Sequence, residues 1–150
     1  MSQSLSKILI HLVFSTKNRE PIIRAEFENE LHAYITGILR ELESPLIEVG
    51  GVEDHVHILF NLSKKRALTE IVQEVKRGSS KWIKGQNQAA YDFYWQNGYG
   101  AFSVAQSNLD AVREYIRNQK EHHRKMAFQD EFRLLLKKYD VDFDERYVWD

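Results

Sequence analysis

The sequence predicts an α+β fold: a ferredoxin-like (RRM-like) antiparallel sheet with helices on one face, plus a C-terminal helix that carries a tyrosine. Three observations lead there. Segments of strand and helix periodicity follow one another in the order β-α-β-β-α-β. The run Gly50-Gly51-Val52-Glu53-Asp54-His55-Val56-His57-Ile58-Leu59-Phe60 reads as a turn followed by a buried strand. No internal repeat, linker or low-complexity segment interrupts the 150 residues, so residues 1–150 read as one domain.

Each element has its own signal. Residues 7–16 alternate Ile8, Ile10, Leu12 and Phe14 with other side chains, the period of a strand. After Pro21, Phe27, Leu31, Tyr34, Ile35, Ile38 and Leu39 recur at helical spacing over about 24–43. Residues 45–53 and 55–62 form a strand pair joined tightly near Glu53-Asp54. Leu68, Ile71, Val72, Val75 and Ile83 mark a helix over 67–84. Gly78 inside it costs about 1 kcal/mol relative to alanine, which points to a close approach by backbone or ligand. Asn97-Gly98-Tyr99-Gly100 is a turn signal between strand candidates 91–96 and 101–104. Residues 107–125 read as a helix, with Ser107 as N-cap, Asp110 in the first turn and Leu109, Val112 and Ile116 as the apolar stripe. A short helix at 128–138 and a polar, acidic tail with Tyr147 and Trp149 end the chain.

Composition excludes several classes. Hydrophobic residues make up 43%, too many for a disordered chain. There is no cysteine, which excludes disulfides and thiolate metal sites. The first residues lack a signal-peptide pattern, and no stretch approaches the roughly 20 apolar residues of a membrane helix. A cytoplasmic protein with no membrane association is the expectation.

The chemistry concentrates in two places. On a strand, residues i and i+2 share a face, so His55 and His57 present two imidazoles side by side while Val56 faces the core. Neutral imidazole is the commonest metal ligand, and two on one face are half of a divalent-metal site. The competing reading is a hydrogen-bonded surface histidine. On the 107–125 helix, Tyr115 and Gln119 are four apart and therefore neighbours. Gln119 offers a hard amide oxygen, and Tyr115 a phenolic oxygen able to act as a covalent nucleophile. Alone, Tyr115 reads equally as an aromatic packed on the sheet, and Gln119 as an ordinary helix residue.

Together, a strand-borne His-hydrophobe-His and a helix with Tyr-x-x-x-Gln resemble the IS200/IS605-type single-tyrosine (Y1) HUH transposases. REP-associated tyrosine transposases are among the relatives considered. The likeness extends to Ile10–Arg19, Asp54–Leu59, Val75–Ile83, Trp95–Val104 and Tyr115–His123, in order from near residue 8 to near residue 126. The resemblance implies an endonuclease and strand transferase of a mobile element. Tyr115 is then the nucleophile forming a 5′-phosphotyrosine link to single-stranded DNA. His55, His57 and Gln119 hold a divalent ion, Mg²⁺ or Mn²⁺. The DNA carries hairpins, and the protein is a homodimer whose tyrosine helix completes the partner's metal site in well-known members.

Net charge is only −1, so distribution decides whether DNA is a plausible partner. Residues 64–84 carry net +5 and residues 111–125 net +3, whereas residues 1–63, 85–110 and 126–150 are all acidic. The DNA-binding candidates are therefore Lys64, Lys65, Arg66, Lys76, Arg77, Ser79, Ser80 and Lys81, with Arg113, Arg117 and Lys120 beside Tyr115. A merely solvated basic face is the alternative. His122 and His123, three and four residues past Gln119, are within reach of the site but are expected to be exposed or to touch phosphate; Asp54 is expected to serve a turn or orient a ligand, with assistance to the metal as the alternative, and His11 to be packed or hydrogen-bonded. Trp95 and Tyr99 read either as base-stacking platforms or as core. Three rival functions remain open. They are a non-catalytic single-stranded nucleic-acid-binding protein, a domesticated enzyme of the same chemistry, and a metal-dependent phosphodiesterase using water. The last predicts more carboxylate ligands.

Overall fold

A computed structural model describes residues 2–86, 90 and 92–150. Four strands, β1 (Leu9–Ser15), β2 (Leu46–Val52), β3 (His55–Asn61) and β4 (Gly100–Val104), form one antiparallel sheet in the order β2-β3-β1-β4. Helices α1 (Ala25–Glu41) and α2 (Leu68–Lys84) provide the two crossovers. The ferredoxin-like order read from the sequence is thus present.

Alternation along the strands sorts side chains between two layers. Ile10, Leu12 and Phe14 of β1 and Val56, Ile58 and Phe60 of β3 face α1 and α2. There they meet Phe27, Leu31, Ile35 and Leu39 of α1, one per turn, and Ile71, Val72, Val75 and Ile83 of α2. Gly78 lies at the contact between these helices: a Cβ there would meet Ile38 Cδ1 at 2.7 Å. The glycine therefore serves helix packing, not a ligand.

The opposite sheet face is covered as well. Helices α3 (Leu109–Arg117), α4 (Gln119–His122) and α5 (Phe128–Lys138) pack over it. Phe128, Phe132, Leu135 and Leu136 of α5 close on Val13 and Phe102. Ile116 of α3 closes on Leu9, Leu59 and Val104. The tail folds back, with Val148 and Trp149 against the α5 cluster and the Gly98 amide donating to the Asp150 carbonyl at 2.8 Å.

Three local readings need correction. The single helix over 107–125 is broken: Gln106–Asn108 is a 3₁₀ turn, α3 begins at Leu109, and Asn118 (φ −93°, ψ 17°) separates α3 from α4. Ser107 lies inside the 3₁₀ turn, and Asn108 occupies the N-cap without a side-chain hydrogen bond. The tyrosine helix is not the C-terminal one: α4 and α5 follow it, and α5 matches the helix expected at 128–138. Residues 92–96 form no strand beyond a single bridge from Trp95 to Thr16, and Tyr91 lies outside the described residues. A strand over 91–96 fails because this segment supplies core aromatics instead. Phe93 and Trp95 are buried, and Trp95 stands edge-on to Phe14 and Phe93, with ring centroids 4.8 Å away in each case.

Candidate active site and metal centre

The site begins with the strand register. His57 pairs with Val13 and His55 with Ser15, which places His11 diagonally beside His57 on the same face. All three imidazoles are buried. This is the face covered by α3, α4 and α5, so the histidines lie beneath a lid of helices and not on an open surface.

Tyr115 and Gln119 reach the same point. Although Asn118 breaks the helix, Gln119 remains one turn from Tyr115. Its amide oxygen lies 3.0 Å from His55 Nε2. The Tyr115 ring stands edge-on to His57, centroids 5.8 Å apart. The structure thus gathers His55, His57, Tyr115 and Gln119 within one chain, and Tyr115 sits beside its own histidines.

Glu131 escaped the sequence reading, and His123, within reach of the site by its spacing from Gln119, was expected elsewhere. Glu131 of α5 is 1% exposed, and its carboxylate joins the whole group. Oε1 lies 3.0 Å from His57 Nε2, 3.3 Å from His55 Nε2 and 3.0 Å from His123 Nε2. Oε2 accepts hydrogen bonds from the Tyr115 hydroxyl and from Gln119 Nε2, the latter at 2.9 Å. His123, expected to be exposed or to meet phosphate, turns inward instead. His122 is half-buried, with Nε2 3.5 Å from Glu131 Oε2. A signal for Glu131 was available: it interrupts the buried stripe Phe128, Phe132, Leu135 with a carboxylate. For His123 the mark was its spacing of four from Gln119, which could not decide between inward and outward because its direction depends on how the chain leaves α4.

Outer partners orient the imidazoles. Asp54 Oδ1 accepts from His55 Nδ1 at 2.7 Å, and the Met126 carbonyl accepts from His123 Nδ1 at 2.6 Å. His11 Nε2 and His57 Nδ1 are 2.8 Å apart. Such bonds fix ring orientation and turn the Nε2 atoms of His55, His57 and His123 toward Glu131. The orienting role expected of Asp54 and the packed role expected of His11 both agree with this geometry.

The electrostatics are set by burial and by Glu131. Burial opposes protonation of His55, but the hydrogen bonds to Asp54 and Glu131 prevail and raise it to about 9. Burial wins at His57, pushed down to about 4, and at His11, pushed down to about 3. For Glu131 burial favours the neutral acid, yet His123, His55 and His57 hold the carboxyl far below its ordinary range. Burial, then the Glu131 charge, push the Tyr115 phenol above its ordinary value.

The basic candidates divide between the two faces. Arg113 and Arg117 flank the site but pair with Glu48 at 3.5 and 3.1 Å, and Lys120 pairs with Glu28 at 2.5 Å. Lys64, Lys65 and Arg66 lie beyond the end of β3 remote from His55. They contact the Ser4 carbonyl at 2.7 Å, Glu43 at 3.6 Å and Glu70 at 2.6 Å. Lys76, Arg77, Ser79, Ser80 and Lys81 are on α2, across the sheet from Tyr115, so this basic segment does not flank the tyrosine in space. Lys76 donates to the carbonyls of Gln96, Asn97 and Gly98, and Arg77 pairs with Glu74. Ser79 is fully buried. It donates to the Val75 carbonyl at 2.6 Å and accepts from Trp95 Nε1 at 2.9 Å, which leaves it no route to a phosphate. Trp95 is likewise core, not a stacking platform. Lys76, Arg77 and Ser80 line a groove of about 460 Å³ with Gln96 and Tyr99.

Buried imidazoles, a phenol, an amide and a carboxylate thus meet at one point on the sheet face covered by α3, α4 and α5. Residues 4–119 match the family of IS200-like transposases, and the chain belongs to that family. Two solved structures share the fold. One is a candidate transposase from Deinococcus radiodurans R1: TM-score 0.62, 20% identity, covering 79% of this chain and 98% of that one. The other is a REP-associated tyrosine transposase bound to a REP hairpin: TM-score 0.60, 14% identity, covering 82% of this chain and 74% of that one. Comparison with curated proteins gave no match. No described helix is long and apolar enough to cross a membrane.

Proposed function

We propose that this transposase-family protein cleaves and rejoins single-stranded DNA through a covalent bond between Tyr115 and a 5′-phosphate. The observation that carries the reading is that one carboxylate, Glu131, touches the Tyr115 hydroxyl, Gln119 and both histidines of the His55-Val56-His57 strand. Nucleophile and candidate ligands are therefore within one side chain of each other. The donor set fits a divalent ion: His55 and His57 turn Nε2 inward, and the Gln119 amide oxygen lies beside them. When bound there, an ion polarises the scissile phosphate and offsets the Glu131 charge beside the phenol.

The protein's own groups do the rest. Tyr115 first breaks its hydrogen bond to Glu131 and gives its proton to solvent water. Its oxygen attacks phosphorus in line, the P–O3′ bond breaks, and the departing oxygen takes up a proton as a 3′-hydroxyl. The phosphodiester bond energy is kept in the tyrosine ester, and reversal with a new 3′-hydroxyl rejoins the strand. Arg113, Arg117 and Lys120 supply phosphate contacts once released from Glu48 and Glu28. A hairpin beside the cleavage site is the proposed recognition element, supported by the hairpin-bound fold neighbour. A homodimer is the proposed working form, checked by sedimentation.

A second reading has one observation in its favour. Hydrolysis by water called for carboxylate ligands, and Glu131 is a buried carboxylate among the histidines. One experiment separates the two. End-labelled single-stranded DNA from both flanks of the gene is incubated with protein and Mg²⁺ or Mn²⁺. We expect a denaturation-resistant adduct that requires the ion and disappears in Tyr115→Phe and His57→Ala. Cleavage surviving Tyr115→Phe would assign the reaction to water. Binding without cleavage in any condition would leave a binding protein.

A further inference from the structure

We propose that a cavity beside Tyr115, between α3 and α5, holds one unpaired base of the DNA strand next to the scissile phosphate, with Asn108 reading its edge. This rests on the single-stranded DNA reading above. It adds a base-recognition site that uses no candidate metal ligand and none of the basic residues of α2.

Its walls suit a planar heterocycle. The cavity has a volume of about 290 Å³, and His11, Tyr115 and Tyr139 present rings to it. Tyr139 is stacked on Phe102, ring centroids 4.7 Å apart, so its ring is backed and held in place. His11 stands edge-on to Phe102 and to Tyr115, at 6.3 and 6.2 Å. Val112 and Leu135 supply apolar sides. Aromatic and apolar walls around a single base are the usual means of holding a nucleotide out of its strand.

Two polar side chains at this cavity are uncommitted. Asn108 occupies the N-cap of α3, where an asparagine oxygen ordinarily accepts a backbone N–H of the first turn. Here it makes no such bond, and its amide has no hydrogen-bond partner among the described residues. An amide offers a donor and an acceptor side by side, the pattern that matches base edges. Lys138 pairs with no carboxylate among the described residues. Its ammonium lies 5.6 Å from the Tyr139 ring centroid, placed to meet a phosphate at the cavity mouth. Tyr115 decides the occupant, because the ring that lines the cavity carries the proposed nucleophile. A strand that brings phosphorus to that oxygen carries a base on either side of it, and this cavity is beside the point of attack.

The test uses the full chain, labelled for amide NMR, with the four deoxynucleoside 5′-monophosphates as probes. At millimolar concentration they should shift the Asn108 side-chain amide and the backbone amides of Ala111, Val112 and Tyr139. The tightest and weakest nucleotides should differ more than about fivefold in affinity, and Asn108→Ala should shrink that spread to within about twofold. Ala111 lines the cavity from an exposed position, so Ala111→Trp fills it and should abolish the shifts. Circular dichroism confirms that each variant is folded. Absent shifts, shifts centred elsewhere, shifts kept in Ala111→Trp or an unchanged spread in Asn108→Ala would overturn the proposal. The end-labelled DNA of the adduct assay is then given an abasic site at each position flanking the cleaved bond in turn. At one position the lesion should slow adduct formation more than about tenfold. In Ala111→Trp intact DNA should react at about that slowed rate, and the lesion should add nothing. An adduct formed equally fast with every lesion would overturn the base pocket and leave the tyrosine chemistry standing. Nucleotide binding as described, with no adduct under any ion, would sink the cleavage reading and leave the pocket.

Discussion

Single side chains in this protein do more than their type announces. Ser79 is a helix-surface residue by composition, yet it is buried and holds Trp95 in the core. Ser79→Ala leaves the indole N–H without a partner, which costs about 1–3 kcal/mol. Thermal unfolding should show a drop of about 2–4 °C for each kcal/mol lost, and an unchanged transition would mean that the bond contributes nothing. His11 gives a pH prediction. Burial, with the His57 charge acting the same way, pushes its imidazole down to about 3, while the unfolded chain titrates near 6.5. Between those values the unfolded chain holds the extra proton, so stability falls as pH drops below about 6.5 and the loss is complete only near 3. Urea midpoints in chelator should decline from pH 7 to pH 5, and less steeply in His11→Gln. Equal declines in both proteins would show that His11 is not held neutral.

At the scale of elements, the decisive contact is between β2 and the tyrosine helix. Gly50 lies directly beneath α3, where a Cβ would meet the Ile116 carbonyl oxygen at 2.5 Å. Neither partner is a flexible side-chain end, so Gly50→Ala must shift one backbone against the other. We expect a loss of about 1–3 kcal/mol and a weaker DNA adduct, because Ile116 adjoins Tyr115. The matching substitution Gly78→Ala meets only the tip of Ile38 and should leave adduct formation intact. If the two variants behave alike, the position of α3 is not what Gly50 controls. Helix α5 acts at the same scale: its apolar stripe docks it on the sheet, and that docking delivers Glu131 to the histidines.

Over the whole molecule, charge placement matters more than net charge. The arginines beside Tyr115 are not free, since Glu48 holds Arg113 and Arg117. Pairs this exposed contribute little to stability, so Glu48→Gln should fold normally, freeing Arg113 and leaving Arg117 only its 3.9 Å approach to Glu114. Single-stranded DNA affinity should rise several-fold at low salt. Its dependence on log salt should steepen by about 0.7 for each new phosphate contact. An unchanged slope would place the DNA path elsewhere, for instance along the α2 groove. The acidic partners explain how a chain of net charge −1 can carry two basic segments without a continuous basic face.

Much of this protein was legible locally. The order of elements followed from apolar periodicity, and the shared face of His55 and His57 from the two-residue repeat of a strand. The neighbouring of Tyr115 and Gln119 followed from the helical repeat and survived the break at Asn118. These are properties of short stretches, fixed by backbone geometry wherever the stretch lies. What sequence order left open was everything made by distant segments meeting. The second helical layer, the burial of the histidines, the inward turn of His123 and the arrival of Glu131 all depend on α5 folding back across the sheet. Likewise, placing the basic residues of α2 behind the sheet and pairing Arg113 and Arg117 with Glu48 required the tertiary structure. Local spacing sets which face a side chain occupies, but only the packing of that face against the rest of the chain decides what it meets.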